Sequence, residues 1–138
     1  MFKRFMLIVG AIILLVGLTL TYSAPLFYKK NKMIEGYVGS NSSLARIENL
    51  TFFEFVLKKG VQGESVRLEI DGFNLEHLLK EFNAKVFFIE EIEGGISYYG
   101  YSPKIPYEKL VNGKTINLHV FVSSTHAKVG SPIIFGSY

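Results

Sequence analysis

The sequence predicts an α+β protein: an N-terminal transmembrane helix, then an antiparallel sheet of four to six strands with one amphipathic helix, at about 74–83, packed on one face. Three observations predict it. No charged residue occurs from Phe5 to Tyr28; apolar residues fall at every second position over Val66–Asp71 and Ile116–Val122; and Leu75, Leu78, Leu79 and Phe82 recur at i, i+3, i+4 and i+7. A chain of 138 residues holds one such domain plus an appendage.

The appendage comes first. Residues 1–4 form a short basic tail carrying Lys3 and Arg4, and residues 5–25 read as a transmembrane helix or uncleaved signal anchor that Pro25 ends. About 20 apolar residues cross a bilayer core as a helix, whereas the apolar region of a cleaved signal peptide runs only about 7–15. Length selects the anchor. Phe27 and Tyr28 then fall where amphipathic rings favour the membrane interface, and Lys29, Lys30 and Lys32 suit anionic headgroups. These lysines rival Lys3 and Arg4 under the positive-inside rule, so charge leaves the orientation open; the short basic start resembles an export signal and places the following domain outside the cytoplasm. The expected organisation is a juxtamembrane linker over 26–43, including the Gly, Ser and Asn run GYVGSNSS, and an extracytoplasmic domain over 44–138. Asn-x-Ser/Thr triplets at Asn41 and Asn49 are of a kind that is common by chance.

Leu50–Leu57 (LTFFEFVL) fits either period: Thr51, Phe53, Phe55 and Leu57 share one side of a strand, while Leu50, Phe53 and Leu57 align on a helix. Its Phe and Thr content favours the strand. After a turn at KKGVQGES, Val66, Leu68 and Ile70 alternate with Arg67, Glu69 and Asp71 in a half-buried strand that ends at Asp71-Gly72. Asn74 is placed to cap the following helix, Glu76 meets the positive end of its dipole, and Asn83 can close it. KVFFIEEI (85–92) reads as a strand, Glu93-Gly94-Gly95 as a turn and Ile96–Tyr101 as the returning strand. Residues 107–111 form a short arm before the Asn112-Gly113 turn. Ile116, Leu118, Val120 and Val122, alternating with Asn117, His119 and Phe121, predict a central antiparallel strand, and Val129–Phe135 the last one.

In these registers the face opposite the helix presents Tyr99, Tyr101, Asn117, His119 and Phe121, together with Ser97, as the candidate binding surface. Catalytic constellations are thin. His119, His126, Glu90, Glu91 and Glu93 lack any metal-ligand spacing, so no metal site is expected. Gly95-Ile96-Ser97-Tyr98-Tyr99-Gly100 is one residue too long for a nucleophile elbow, and no phosphate or dinucleotide loop occurs, so no cofactor is expected. Pro103-Lys104-Ile105-Pro106 spells PxxP, but prolines cannot donate to a ladder and mark where the strand leaves the sheet. With no cysteine, disulfides and thiolate sites are excluded. The basic excess sits at the first 32 residues: from Met33 onward ten Lys and Arg face twelve Asp and Glu, a balance of −2. Nucleic acid is therefore not an expected partner.

Leu75–Val86 (LEHLLKEFNAKV), EEI, YYGYSPKI, NGKTINLHV and VGSPIIFGSY resemble the closing part of the YwmB-like proteins of spore-forming Gram-positive bacteria, over residues 64–138. The resemblance implies an exported envelope protein with one half of a fold similar to the TATA-binding protein; it brings no catalytic residues and no DNA binding. The function expected is a non-enzymatic binding or structural module of the bacterial cell envelope, single-pass in the cell membrane, with the lipid bilayer and an envelope protein or cell-wall polymer as partners. The alternative is a small envelope hydrolase using Glu90, Glu91 or His119.

Overall fold

The computed structural model describes residues 1–31, 33–39 and 46–138. Helix α1 (Phe2–Ser23) leads through a turn to strands β1 (Ile34–Val38) and β2 (Arg46–Leu50), the short helix α2 (Phe52–Leu57), β3 (Val61–Glu69) and helix α3 (Leu75–Glu81). There follow β4 (Lys85–Ile92), β5 (Gly95–Tyr101), β6 (Lys109–Val111), β7 (Lys114–Ile116), β8 (Leu118–Ser123) and β9 (His126–Ser131). Seven strands form one antiparallel sheet in the order β2-β1-β3-β9-β8-β5-β4, and β6-β7 is a separate ribbon. The protein is α+β, with a larger sheet than the four to six strands expected.

Among the described residues no helix is long and apolar enough to cross a membrane, which corrects the transmembrane helix expected over 5–25. Phe27 is not an interfacial ring either: it is fully buried and meets Phe82 edge-on at 5.6 Å. Tyr28 stacks at a tilt on Phe52, 4.9 Å away. Of the expected linker, residues 34–38 are β1; Lys32, residues 40–43 and the Asn41 triplet lie outside the described residues.

Leu50–Leu57 is helical from Phe52 because Thr51-Phe52-Phe53-Glu54 is a capping box: the Thr51 amide and hydroxyl both bond Glu54 Oε2 at 2.8 Å. Strand β3 begins at Val61, inside the expected turn. Helix α3 is capped by the Asn74 side chain, which accepts the His77 amide at 2.8 Å, and closed by Asn83 at φ 50°. The Asn112-Gly113 turn, with φ 49° and 73°, joins β6 to β7 as a tight hairpin requires. The expected strand over 116–122 is broken at Asn117, and β9 stops at Ser131 before Pro132, so 132–135 is not strand.

One face of the sheet buries Val66, Leu118, Val120 and Val129 against Leu78 and Phe82, with Phe27, Ile34, Leu50, Phe55 and Ile105 closing the core. Each such side chain contributes roughly 1.5–3 kcal/mol by leaving water. At the margin of this core lies Glu64, wholly buried, its Oε1 accepting the Phe27 amide at 3.0 Å.

Candidate functional site

Strands β5 and β8 are adjacent, with Tyr99 opposite His119 and Ser97 opposite Phe121, so period-two geometry puts these four on the face away from α3. The three rings of Phe88, Tyr99 and His119 stack, with centroids 4.5 Å and then 4.2 Å apart. Ser97 Oγ lies 3.1 Å from His119 Nε2.

This face is covered. After Pro132 the chain folds back across it: the Ile134 amide donates to His119 Nδ1 at 3.1 Å, and the Tyr138 ring meets His119 at 5.7 Å and Phe121 at 4.5 Å. Phe135 packs edge-on against Tyr37 of β1 at 4.6 Å and lies 4.9 Å from Lys109 Nζ. Lys128 Nζ ties the cover down, donating to the Ser137 carbonyl at 2.9 Å and pairing with Glu35 at 2.7 Å. Ser65 donates to Glu35 at 3.0 Å and receives the Tyr37 hydroxyl at 2.6 Å, which extends the polar network under the cover.

The structure thus brings Tyr99, His119 and Phe121 together and leaves them 8 %, 1 % and 3 % exposed. Tyr101 is half-buried at the end of β5, opposite Lys85. Asn117 turns to a different task. Its Oδ1 accepts the Ser102 amide at 2.6 Å and its Nδ2 donates to the Ser102 and Ile105 carbonyls at 2.7 and 3.1 Å, so it braces the loop where the chain leaves β5.

The electrostatics of the stack decide what it can do. A backbone N–H only donates, so His119 Nδ1 holds a lone pair and the ring proton sits on Nε2, which donates to Ser97 Oγ. A histidine that donates to a serine cannot take that serine's proton; Ser97-His119 is oriented against general-base catalysis. Burial pushes His119 down to about 4, which keeps the ring neutral near pH 7. Burial, then the neighbouring Glu90 and Tyr138, push the Tyr99 hydroxyl up. Glu90 shares the covered face, whereas Glu91 points to the other and Glu93 is exposed in the turn, so the glutamates do not converge with His119. Among the described residues no three His, Asp or Glu side chains group as metal ligands.

A second concavity of about 650 Å³ opens beside the start of α3, lined by Lys30, Glu69, Asp71, Asn74 and His77 among others. Two of its polar side chains are occupied by the fold, Lys30 with Glu81 and Asn74 with the His77 amide. Glu64 was hidden in the sequence within a reading of turn residues. Phe88, Lys128, Ile134 and Tyr138 were equally hidden as parts of the face, because they reach it through the β4 register and the returning tail; the one local sign was Pro132, which stops the strand. No family model, curated protein or solved structure matches the chain.

Proposed function

We propose that the chain is a non-enzymatic binding module of the bacterial cell envelope, acting outside the cytoplasm and held against lipid by α1. One observation carries the reading: from Phe5 to Leu18 the side chains of α1 are apolar and nearly all exposed, with Leu7 74 % and Ile13 66 % exposed. A helix that is apolar on all sides requires an apolar environment. Lipid supplies one, and the charges flanking its apolar run, Lys3 and Arg4 in the first turn of α1 and Lys29 after its end, suit anionic headgroups at about 1 kcal/mol each. The donor orientation of His119 towards Ser97 supports binding over hydrolysis, and the resemblance of residues 64–138 to exported envelope proteins points the same way.

The test is flotation of the full chain with vesicles. It is expected to float with phosphatidylglycerol vesicles and less with pure phosphatidylcholine, and Lys3→Glu with Arg4→Glu should reduce the difference; no flotation with either lipid defeats the reading. Alkaline phosphatase fused after Tyr138 should be active if the domain acts outside the cytoplasm. Crosslinking in intact cells should recover an envelope protein or wall polymer.

A further inference from the structure

Helix α2 carries apolar side chains on opposite sides, and the fold covers only one of them. Phe55 is 4 % exposed and enters the core, whereas Phe53 and Leu57, four residues apart and so neighbours on one flank, are 72 % and 79 % exposed. That flank is not isolated. Helix α2 touches α1 and packs beside β1 and β2. The Phe53 ring meets Phe52 edge-on at 5.6 Å, Phe52 meets Tyr28 at 4.9 Å, and Tyr28 belongs to the turn that follows α1. Met33, 49 % exposed, joins Tyr28, Phe52 and Phe53 around a shallow concavity of about 370 Å³. Apolar surface therefore runs from the end of α1, across the turn, to Leu57.

Continuity and charge together identify what covers this surface. The exposed side chains of α1 need an apolar environment, and a patch joined to the end of that helix meets the same one; a second copy seated on α2 would occupy the place of the bilayer. Charge agrees. Lys29 follows Tyr28 and Lys59 lies two residues past Leu57, both exposed, while Lys58 is paired with Glu48 and the Glu54 carboxylate is engaged by the Thr51 amide and hydroxyl. Bulky apolar side chains flanked by exposed lysines suit the boundary between headgroups and acyl chains of an anionic bilayer. Resting on the lipid reading of α1, we propose that α2 is a second lipid contact: Phe53 and Leu57 enter the interfacial layer of the same anionic bilayer. This contact fixes which end of the sheet faces the lipid, the end that carries β2 and β1 rather than the end that carries β4.

The chain contains no tryptophan, so a single introduced one reports its own surroundings. Full-length Phe53→Trp and Phe87→Trp chains are compared on phosphatidylglycerol vesicles whose acyl chains carry bromine, a short-range quencher; Phe87 is 43 % exposed on β4, at the opposite edge of the sheet. Both replacements keep an aromatic ring at an exposed position, so each variant should fold. The expected result is quenching of Phe53→Trp at least threefold stronger than that of Phe87→Trp, falling to the Phe87→Trp level when Leu57→Asp is added, while the chain still floats through α1. Equal quenching of the two in a chain that floats would overturn the α2 contact and leave the α1 reading standing; no flotation would defeat both. Protection of Phe53→Trp from aqueous acrylamide without quenching by bromine would show protein over α2, as from a second copy, and would overturn the lipid assignment.

Discussion

The Phe27 amide donates to Glu64 Oε1 across 37 residues of sequence, so a carboxyl buried in the sheet fastens the turn that follows α1. The neighbouring Leu26 amide reaches the same group, and Oε2 has no hydrogen-bond partner. Burial, partly offset by these amides, pushes Glu64 up to about 7.

That raised value gives stability a direction with pH. Between about 4.5 and about 7 the native state keeps a proton that the unfolded chain has lost, so the Glu64 contribution is complete below the lower value and is lost as pH rises through the upper one. The loss is of the order of 3 kcal/mol. His119 runs oppositely: its folded value of about 4 lies below its ordinary 6.5, so its contribution is complete above 6.5 and is lost as pH falls through about 4. Calorimetric Tm of Glu64→Gln minus that of the parent should therefore increase from pH 5 to pH 8. A difference that stays constant across that range would contradict a proton held at Glu64.

Asn117→Ala should destabilise the fold by about 2–4 kcal/mol, because three backbone groups at Ser102 and Ile105 lose their partner in a buried place. Asn117→Asp should be no milder, since a carboxylate cannot donate to the two carbonyls. Urea unfolding followed by circular dichroism measures both.

A fluorophosphonate that labels activated serines should not modify Ser97 in the folded protein. The proton on His119 Nε2 points at Ser97 Oγ, and both residues are buried. Labelling mapped to Ser97 by mass spectrometry would restore the hydrolase alternative.

Gly130→Ala should loosen the tail. A Cβ there would stand 2.7 Å from Ile134 Cγ1 and 3.1 Å from its Cα and N, so the segment over His119 must shift. Hydrogen exchange of the Ile134 amide is expected to accelerate at least tenfold while exchange in α3 stays unchanged.

The parts legible in the sequence were those whose signals are local. The α3 stripe with its Asn74 cap, the β4-β5 hairpin and the Asn112-Gly113 turn each carry their own period or backbone preference. The phenylalanines of Leu50–Leu57 favour a strand, whereas Thr51 and Glu54 are the pair that starts a helix there. Strand β1 carries no local signal among its glycines, one of which, Gly36, packs where a Cβ would stand 2.7 Å from Leu50 Cδ1. The grouping of Tyr99, His119 and Phe121 followed from alternation alone. Their burial did not, because the cover comes from residues 132–138 and depends on distant partners such as Tyr37 and Lys128.

The place of β9 in the sheet sets when this protein can fold. Strands β2, β1 and β3 form one half and β8, β5 and β4 the other, and β9 alone joins them, pairing with β3 on one side and β8 on the other. A nascent chain cannot unite the halves until residues 126–131 have left the ribosome. Until then β3 and β8 each hold an unpaired edge. A premature stop before His126 would remove the joint itself, leaving β3 and β8 as facing unpaired edges rather than a slightly shortened sheet.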